Sequence, residues 1–106
     1  MEDTLLVQTV GFGAFAPEGE TETIDFANIV ANDEVSDNET KSGIITAKYD
    51  IVGEDKKPDL SLAKKIQIKH SELLAKTGKL LPVEMTFKIG NVRKQGKKVL
   101  CIIGLK

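Results

Sequence analysis

Residues 83–89 alternate strictly between apolar and polar side chains, and this alternation constrains the fold more than any other feature of the chain. Successive side chains of a β-strand point to opposite faces of a sheet, so the pattern predicts a strand with one buried face. A polar turn at 93–98 follows, with Gly96 placed for a positive φ, and the apolar run 99–105 then predicts a returning strand. The side chains predicted to face inward are those of Val83, Met85, Phe87 and Ile89.

The N-terminal half contains three further segments with strand-like composition. Residues 4–16 are predicted to form a first strand, and residues 21–31 a return strand that pairs with it. Residues 44–52 alternate as a third strand. Between the second and third strands, residues 32–42 are rich in Asp, Glu, Asn and Ser, which predicts a mobile surface loop.

The stretch from Leu60 to Leu81 is ambiguous, because its apolar residues fit both a strand and a helix. We predict a short strand over 64–69, where Lys65 to Lys69 alternate, and a short helix over 71–76. Ser71 would cap this helix and Gly78 would stop it. One continuous helix across the region is the alternative.

The predicted fold is mainly β: a small five-stranded Greek-key barrel, similar to the oligonucleotide-binding barrel, with one short helix. The 106 residues, 41% of them hydrophobic, predict a single domain spanning residues 1–106. Strands of this length and spacing are typical of such barrels.

The sequence shows no arrangement of residues with the spacing that catalysis or metal binding requires. Cys101 lies in an apolar run and is expected in the core, whereas His70 lies between Lys69 and Ser71 and is expected at the surface. These two residues are far apart and give no metal-ligand spacing. We therefore expect no enzyme activity, no metal and no cofactor.

Apolar runs are too short for a membrane helix, and the acidic start Met1-Glu2-Asp3 differs from a secretory signal. A cytoplasmic protein without a membrane partner is expected.

Charge is distributed unequally along the chain. Residues 1–60 hold 14 Asp or Glu and 4 Lys, a balance of −10, whereas residues 61–106 hold 2 Glu and 11 Lys or Arg, a balance of +9. A basic segment of this density commonly contacts phosphates or another polyanion. The alternative is that the two halves neutralise each other across a solvated surface.

Binding of a single strand requires cations for the phosphates and flat side chains on which bases stack. Candidates of both kinds are present, with Phe26 as a further stacking candidate, whereas Phe87 is assigned to the core. For Phe12 and Phe15, stacking and core packing both remain open. The candidate nucleic-acid-binding residues are Phe12, Phe15, Lys48, Tyr49, Lys88, Arg93, Lys94, Lys97 and Lys98.

The order of elements resembles that of the gene V type single-stranded DNA-binding proteins of filamentous phages. The closest local match is Phe87-Lys88-Ile89-Gly90, which enters a hairpin whose returning strand leads to Lys106. The resemblance implies a homodimer that binds single-stranded DNA during replication of a phage genome. Apart from the resemblance, a mobile element is the other possible source of the chain, and RNA is a further possible ligand. The resemblance also implies that Lys88 and the turn at 93–98 lie near the dimer and DNA surfaces, and that residues 12–19 form a DNA-binding wing.

A protein-interaction module is the competing interpretation. In that case the apolar strand 99–105, or a patch containing Phe12 and Phe15, would dock a partner chain.

Overall fold

The computed structural model describes residues 1–33 and 43–106, which form five strands and one α-helix. The strands close into a barrel in the order β1-β2-β3-β5-β4, and β4 pairs with β1 to complete it. All pairs are antiparallel except β3 with β5, which is parallel. The elements are β1 (Glu2–Phe15), β2 (Ile24–Asp33), β3 (Ile45–Ile51), α1 (Leu60–Lys76), β4 (Val83–Lys94) and β5 (Lys97–Leu105).

This arrangement confirms the predicted fold class, a mainly β five-stranded barrel of the oligonucleotide-binding kind. The predicted pairing of the first two strands is also confirmed. Asn32 and Asp33 belong to β2 rather than to the predicted acidic loop, and the rest of that loop lies outside the described residues.

Strand β1 is long enough to pair with both of its neighbouring strands, β4 and β2. Residues 2–7 pair with β4, and residues 7–15 pair with β2. The β1–β2 register shifts between Val7 and Thr9, so Gln8 is an extra residue in the ladder. Such a bulge bends the strand and reverses which parity faces inward. Leu5 and Val7 accordingly lie in the core before the bulge, whereas Val10 and Phe12 pack on it afterwards.

The core fills the barrel with aliphatic side chains around one phenyl ring. Phe87 is fully buried, and the inward parity of β4 predicted from the sequence is confirmed. Burial of a side chain of this size contributes about 1.5–3 kcal/mol to folding. The other large, fully buried side chains are Ile29, Ile51, Ile66, Ile102, Val7 and Cys101.

A second, smaller cluster lies on the opposite face of the β4–β5 hairpin. It consists of Val52, Val92 and Cys101, with Val99 packed against them. A turn at 53–58 closes over this side, and an isolated bridge joins its ends, Val52 and Pro58. The predicted burial of Cys101 is confirmed, and desolvation raises the pKa of its thiol.

The region between β3 and β4 corrects two predictions. Residues 64–69 are not a strand, because they lie within the continuous helix α1. The helix begins after Asp59, whose carboxylate accepts from the Leu62 N–H at 2.9 Å, so Asp59 rather than Ser71 is the cap. Its buried positions are Ala63, Ile66 and His70, spaced three and four residues apart as one helical face requires.

The C-terminal end of α1 agrees with the predicted stop. Thr77 is the C-cap, and its hydroxyl donates to the Leu74 carbonyl at 2.9 Å. Gly78 follows with a φ of 76°, a conformation that glycine adopts without strain. Within the described residues, no helix is long and apolar enough to span a membrane.

His70 is buried, with 6% of its surface exposed, which contradicts the expected surface position. The error follows from the wrong strand assignment, because on a continuous helix His70 shares the inward face of Ile66. Its Nε2 lies 3.4 Å from the Val7 carbonyl oxygen, beside the β1 bulge. The imidazole therefore links α1 to the barrel wall.

The hairpin between β4 and β5 is tighter than the predicted turn. Lys94 pairs with Lys97, so only Gln95 and Gly96 form the loop. Both have positive φ, 53° and 79°, as a type I′ turn requires. The glycine position predicted from the sequence is confirmed.

Candidate nucleic-acid interface

A groove of about 340 Å³ crosses the outer face of β2 and β3. One flank is the end of the β1–β2 hairpin, and the other is formed by the 53–58 turn and the tip of β4. The groove residues that matter for the chemistry below are Phe15, Asp25, Phe26, Asn28, Lys48, Asp50, Lys56 and Arg93. We call these eight side chains the groove residues, and the cavity that they line the groove.

Phe26 lies across the backbone of β1 because two glycines leave it room. Gly13 is the register partner of Phe26, and a Cβ on Gly13 would come within 3.3 Å of the Phe26 ring. A Cβ on Gly11 would lie 3.9 Å from another atom of the same ring. The ring therefore extends along the strand from Gly13 to Gly11, a packing that only small residues beneath it allow.

Phe15 is the second aromatic side chain of the groove. Its ring centroid lies 6.0 Å from that of Phe26, with the planes inclined by 57°. Phe15 is 49% exposed, as is Ile24 opposite it in the β1–β2 ladder. Phe15 and Phe26, which we call the phenyl pair, thus place a partly exposed apolar surface at one end of the groove.

Cations surround the groove from three separate elements. Lys48 is exposed on β3, opposite Val30 of β2. Lys56 lies in the 53–58 turn, where its ammonium is 3.5 Å from the Asn91 carbonyl oxygen. Arg93 is exposed near the tip of β4, opposite Lys98. Lys48 and Lys56 are near each other in the sequence, whereas Arg93 belongs to the C-terminal hairpin, and the barrel brings all of them to one surface.

Carboxylates also line the groove. Asp50 lies on β3, directly opposite Asn28 of β2, and Asp25 lies at the rim of the barrel. Carboxylates repel phosphates, so a nucleic-acid backbone in this groove would follow the cations and leave the acidic positions to other groups.

The remaining basic candidates divide between the hairpin tip and the far side of the barrel. Lys97 and Lys98 are exposed at the tip, next to Arg93. Lys94 pairs with Lys97 through the backbone, and its side chain is outside the described part of the structure. Lys88 is not a groove residue, because it lies five positions before Arg93, about 16 Å along the strand.

Lys88 instead faces the start of β1. It is the register partner of Glu2, whose carboxylate forms an ion pair with Lys106 at 3.0 Å. The hydrogen bond and charge of Lys106 lower the pKa of Glu2. Lys88 therefore lies near Glu2 and Lys106, on a part of the barrel away from the groove.

Phe12 and Tyr49 lie on the inner side of the sheet. Phe12 is opposite Ala27 and Tyr49 is opposite Ile29, and both rings pack against the core. Of the two options left open for Phe12 and Phe15, the structure therefore gives core packing for Phe12 and an exposed outer position for Phe15. The face of β2 and β3 that would contact a ligand carries neither Phe12 nor Tyr49.

Sequence reasoning missed Lys56 and Asn28 and gave Phe26 only as a further candidate. Lys56 comes from a turn whose position depends on the closed barrel. Phe26 carries a local signal, since Gly11 and Gly13 alternate with larger residues in the strand predicted to pair with it. Outside residues 34–42, the chain holds no group of three or more His, Cys, Asp or Glu able to bind a metal.

Comparison with known proteins found no family model, no curated protein and no solved structure that matches this chain.

Proposed function

We propose that this chain binds single-stranded nucleic acid in the groove, with DNA as the preferred ligand. The bases would stack on the phenyl pair, and the phosphates would follow Lys48, Lys56 and Arg93. Most of this affinity is independent of base identity, because every base has a face that can stack and every nucleotide carries a phosphate.

One observation carries the proposal: two partly exposed phenyl rings and three cations lie in one groove on the outer face of β2 and β3. In oligonucleotide-binding barrels this face, with the β1–β2 and β4–β5 loops beside it, is where single strands bind. At the tip of the β4–β5 hairpin, the first two residues of β5 add the exposed Lys97 and Lys98. Fold and residue chemistry therefore support the same location.

A single strand suits this groove better than a duplex. Stacking on an aromatic side chain is worth about 1–3 kcal/mol per base, but only when the face of the base is free. In a duplex the bases are stacked on each other, so the phenyl pair would contribute nothing and the cations alone would act.

The resemblance to the gene V type proteins supports DNA over RNA and a role in replication of a phage or mobile element. It also supports a homodimer. Light scattering at several protein concentrations tests the dimer: a mass of twice 11.5 kDa is expected, and a constant monomer mass would refute it.

A docking role for the strand 99–105 has less support. β5 pairs with β4 over most of its length and with β3 at Cys101 and Ile102, so its backbone is largely occupied. Its most exposed apolar side chains are Leu100 at 43% and Ile103 at 45%.

Fluorescence anisotropy of a labelled mixed-sequence 20-mer tests the proposal, with a duplex of the same sequence as the control. Titrations at low and moderate salt should show tighter binding of the single strand and a steep loss of affinity with salt, because bound cations displace counterions. Equal binding of both ligands, or none at low salt, would contradict the proposal.

A further inference from the structure

The groove contains hydrogen-bonding groups that neither stacking nor phosphate binding explains. Asn28 and Asp50 are register partners on β2 and β3, and both are partly buried on the groove floor. A carboxylate has no N–H or O–H with which to contact a phosphate, so Asp50 weakens backbone binding wherever a phosphate approaches it. A carboxylate can accept hydrogen bonds from N–H groups on the edge of a base, and the Asn28 amide can both donate and accept.

Asn28 and Asp50 belong to a row of register partners that crosses β1, β2 and β3, and the β1 member of this row is Gly11. Gly11 pairs with Asn28 across β1 and β2, so no side chain stands on the β1 side of this row. A Cβ on Gly11 would have the edge of Phe26 at 3.9 Å as its nearest neighbour. The space above Gly11 is therefore open toward the groove.

Phe26 stands one row away, two residues before Asn28, a separation of about 7 Å along the strand. Its ring extends over Gly13 toward Gly11, which is in the direction of the Asn28 row. A base stacked on that ring would point one edge toward the row formed by Gly11, Asn28 and Asp50. Proteins commonly recognise single-stranded bases by hydrogen bonds to the Watson–Crick edge of the base.

We propose that Asn28 and Asp50 read the Watson–Crick edge of a base stacked on Phe26, and that the base they favour is guanine. Guanine presents two adjacent donors, N1–H and the N2 amino group, beside the acceptor O6. The Asp50 carboxylate can accept from both donors at once and still has lone pairs for a protein contact, while the Asn28 amide donates to O6. Thymine presents a single N–H donor between two carbonyl oxygens and fits this pair less well.

This inference rests on the proposed function and adds a modest base preference to sequence-tolerant binding. The test uses labelled dT10 and the same oligonucleotide with two central guanines, measured by anisotropy at one salt concentration. The guanine-containing strand should bind about tenfold more tightly, the usual effect of one good bidentate contact. A third strand with inosine, which lacks the N2 amino group, should lose most of that gain.

Two variants separate base reading from general electrostatics. Asp50→Asn should abolish the guanine preference, and it should tighten dT10 binding because it removes a negative charge from the groove. Glu54→Gln removes the same charge from the 53–58 turn beside the groove, at an exposed residue that does not line it, and should leave the preference intact. Asn28→Ser, expected to reduce the preference, provides a second test if Asp50→Asn fails to fold.

The outcomes distinguish this inference from the proposed function. Binding of dT10 without any gain from guanine, or a preference that survives Asp50→Asn, would overturn base reading and leave single-strand binding standing. Failure to bind either strand at low salt would overturn the proposed function, and the base reading with it.

Discussion

The inner and outer faces of the β1–β2 hairpin contain similar residues that the fold uses differently. Phe12 and Ile29 face inward and pack in the core, whereas Phe15 and Phe26 face outward and form the phenyl pair. Parity within the ladder, not residue type, decides which aromatic ring stabilises the fold and which is available to a ligand. Substitutions on the inner face should therefore change the free energy of unfolding, whereas substitutions on the outer face should change the affinity for a single strand.

The largest effect is expected on the inner face. Ile29→Ala removes a fully buried side chain from β2 and should lower the free energy of unfolding by about 2–5 kcal/mol. Urea unfolding monitored by circular dichroism measures this change. A loss below about 1 kcal/mol would mean that the inner face is not tightly packed.

Phe26→Ala changes the outer face of the same strand and should act on binding. Loss of one stacking position should weaken single-strand affinity by about 1–3 kcal/mol, which is roughly five- to 150-fold. Phe26→Leu keeps apolar bulk over the glycines but removes the aromatic face, so it separates stacking from packing. Leu variants that bind like the wild type would contradict a stacking role.

Arg93→Gln should have a smaller effect, visible mainly in the salt dependence. Loss of one phosphate contact should reduce the slope of log affinity against log salt by about 0.7, the value for single strands. Lys65→Gln on α1 is the matched control, since Lys65 is exposed but is not a groove residue. An equal change in slope for both variants would indicate a diffuse charge effect instead of a defined site.

Cys101 is an exception to the division between a buried inner face and an exposed outer face, because it is buried although it lies on the outer side of β5. The Val52–Pro58 bridge closes a turn near this cluster, and burial raises the pKa of the thiol. At pH 8 the thiol should react slowly with a disulfide reagent in the native protein and quickly in urea. Rapid reaction in the native state would show that this outer cluster is open to solvent.

Much of the fold could be predicted from the sequence because the strands carry regular signals. The alternation in 83–89 and the turn glycine Gly96 depend only on local chemistry, and both predictions are confirmed. The strand predicted over 64–69 was wrong because Lys65 to Lys69 also alternate in polarity, and the continuous helix that we kept as the alternative is the one observed. Ile68 remains 49% exposed, so part of that apparent apolar face is not buried.

The aromatic side chains that face outward could not be assigned from the sequence, and the reason is the bulge at Gln8. Continued alternation from Leu5 and Val7 would place Phe15 inside and Phe12 outside. The extra residue reverses the parity, so the structure shows the opposite. Lys56 was missed because its turn meets β4 only in the folded barrel. Asn28 was missed because its position on the outer face follows from the pairing of β2 with β1 and β3.

Amide chemical-shift mapping of the labelled protein during titration with dT10 tests the central claim most directly, because it locates the bound strand residue by residue. We predict that the shifts concentrate on the outer face of the barrel wall, at Gly11, Gly13, Phe26, Asn28 and Lys48. Shifts concentrated on α1, or around Glu2 and Lys88, would contradict this account and place the binding surface elsewhere on the barrel.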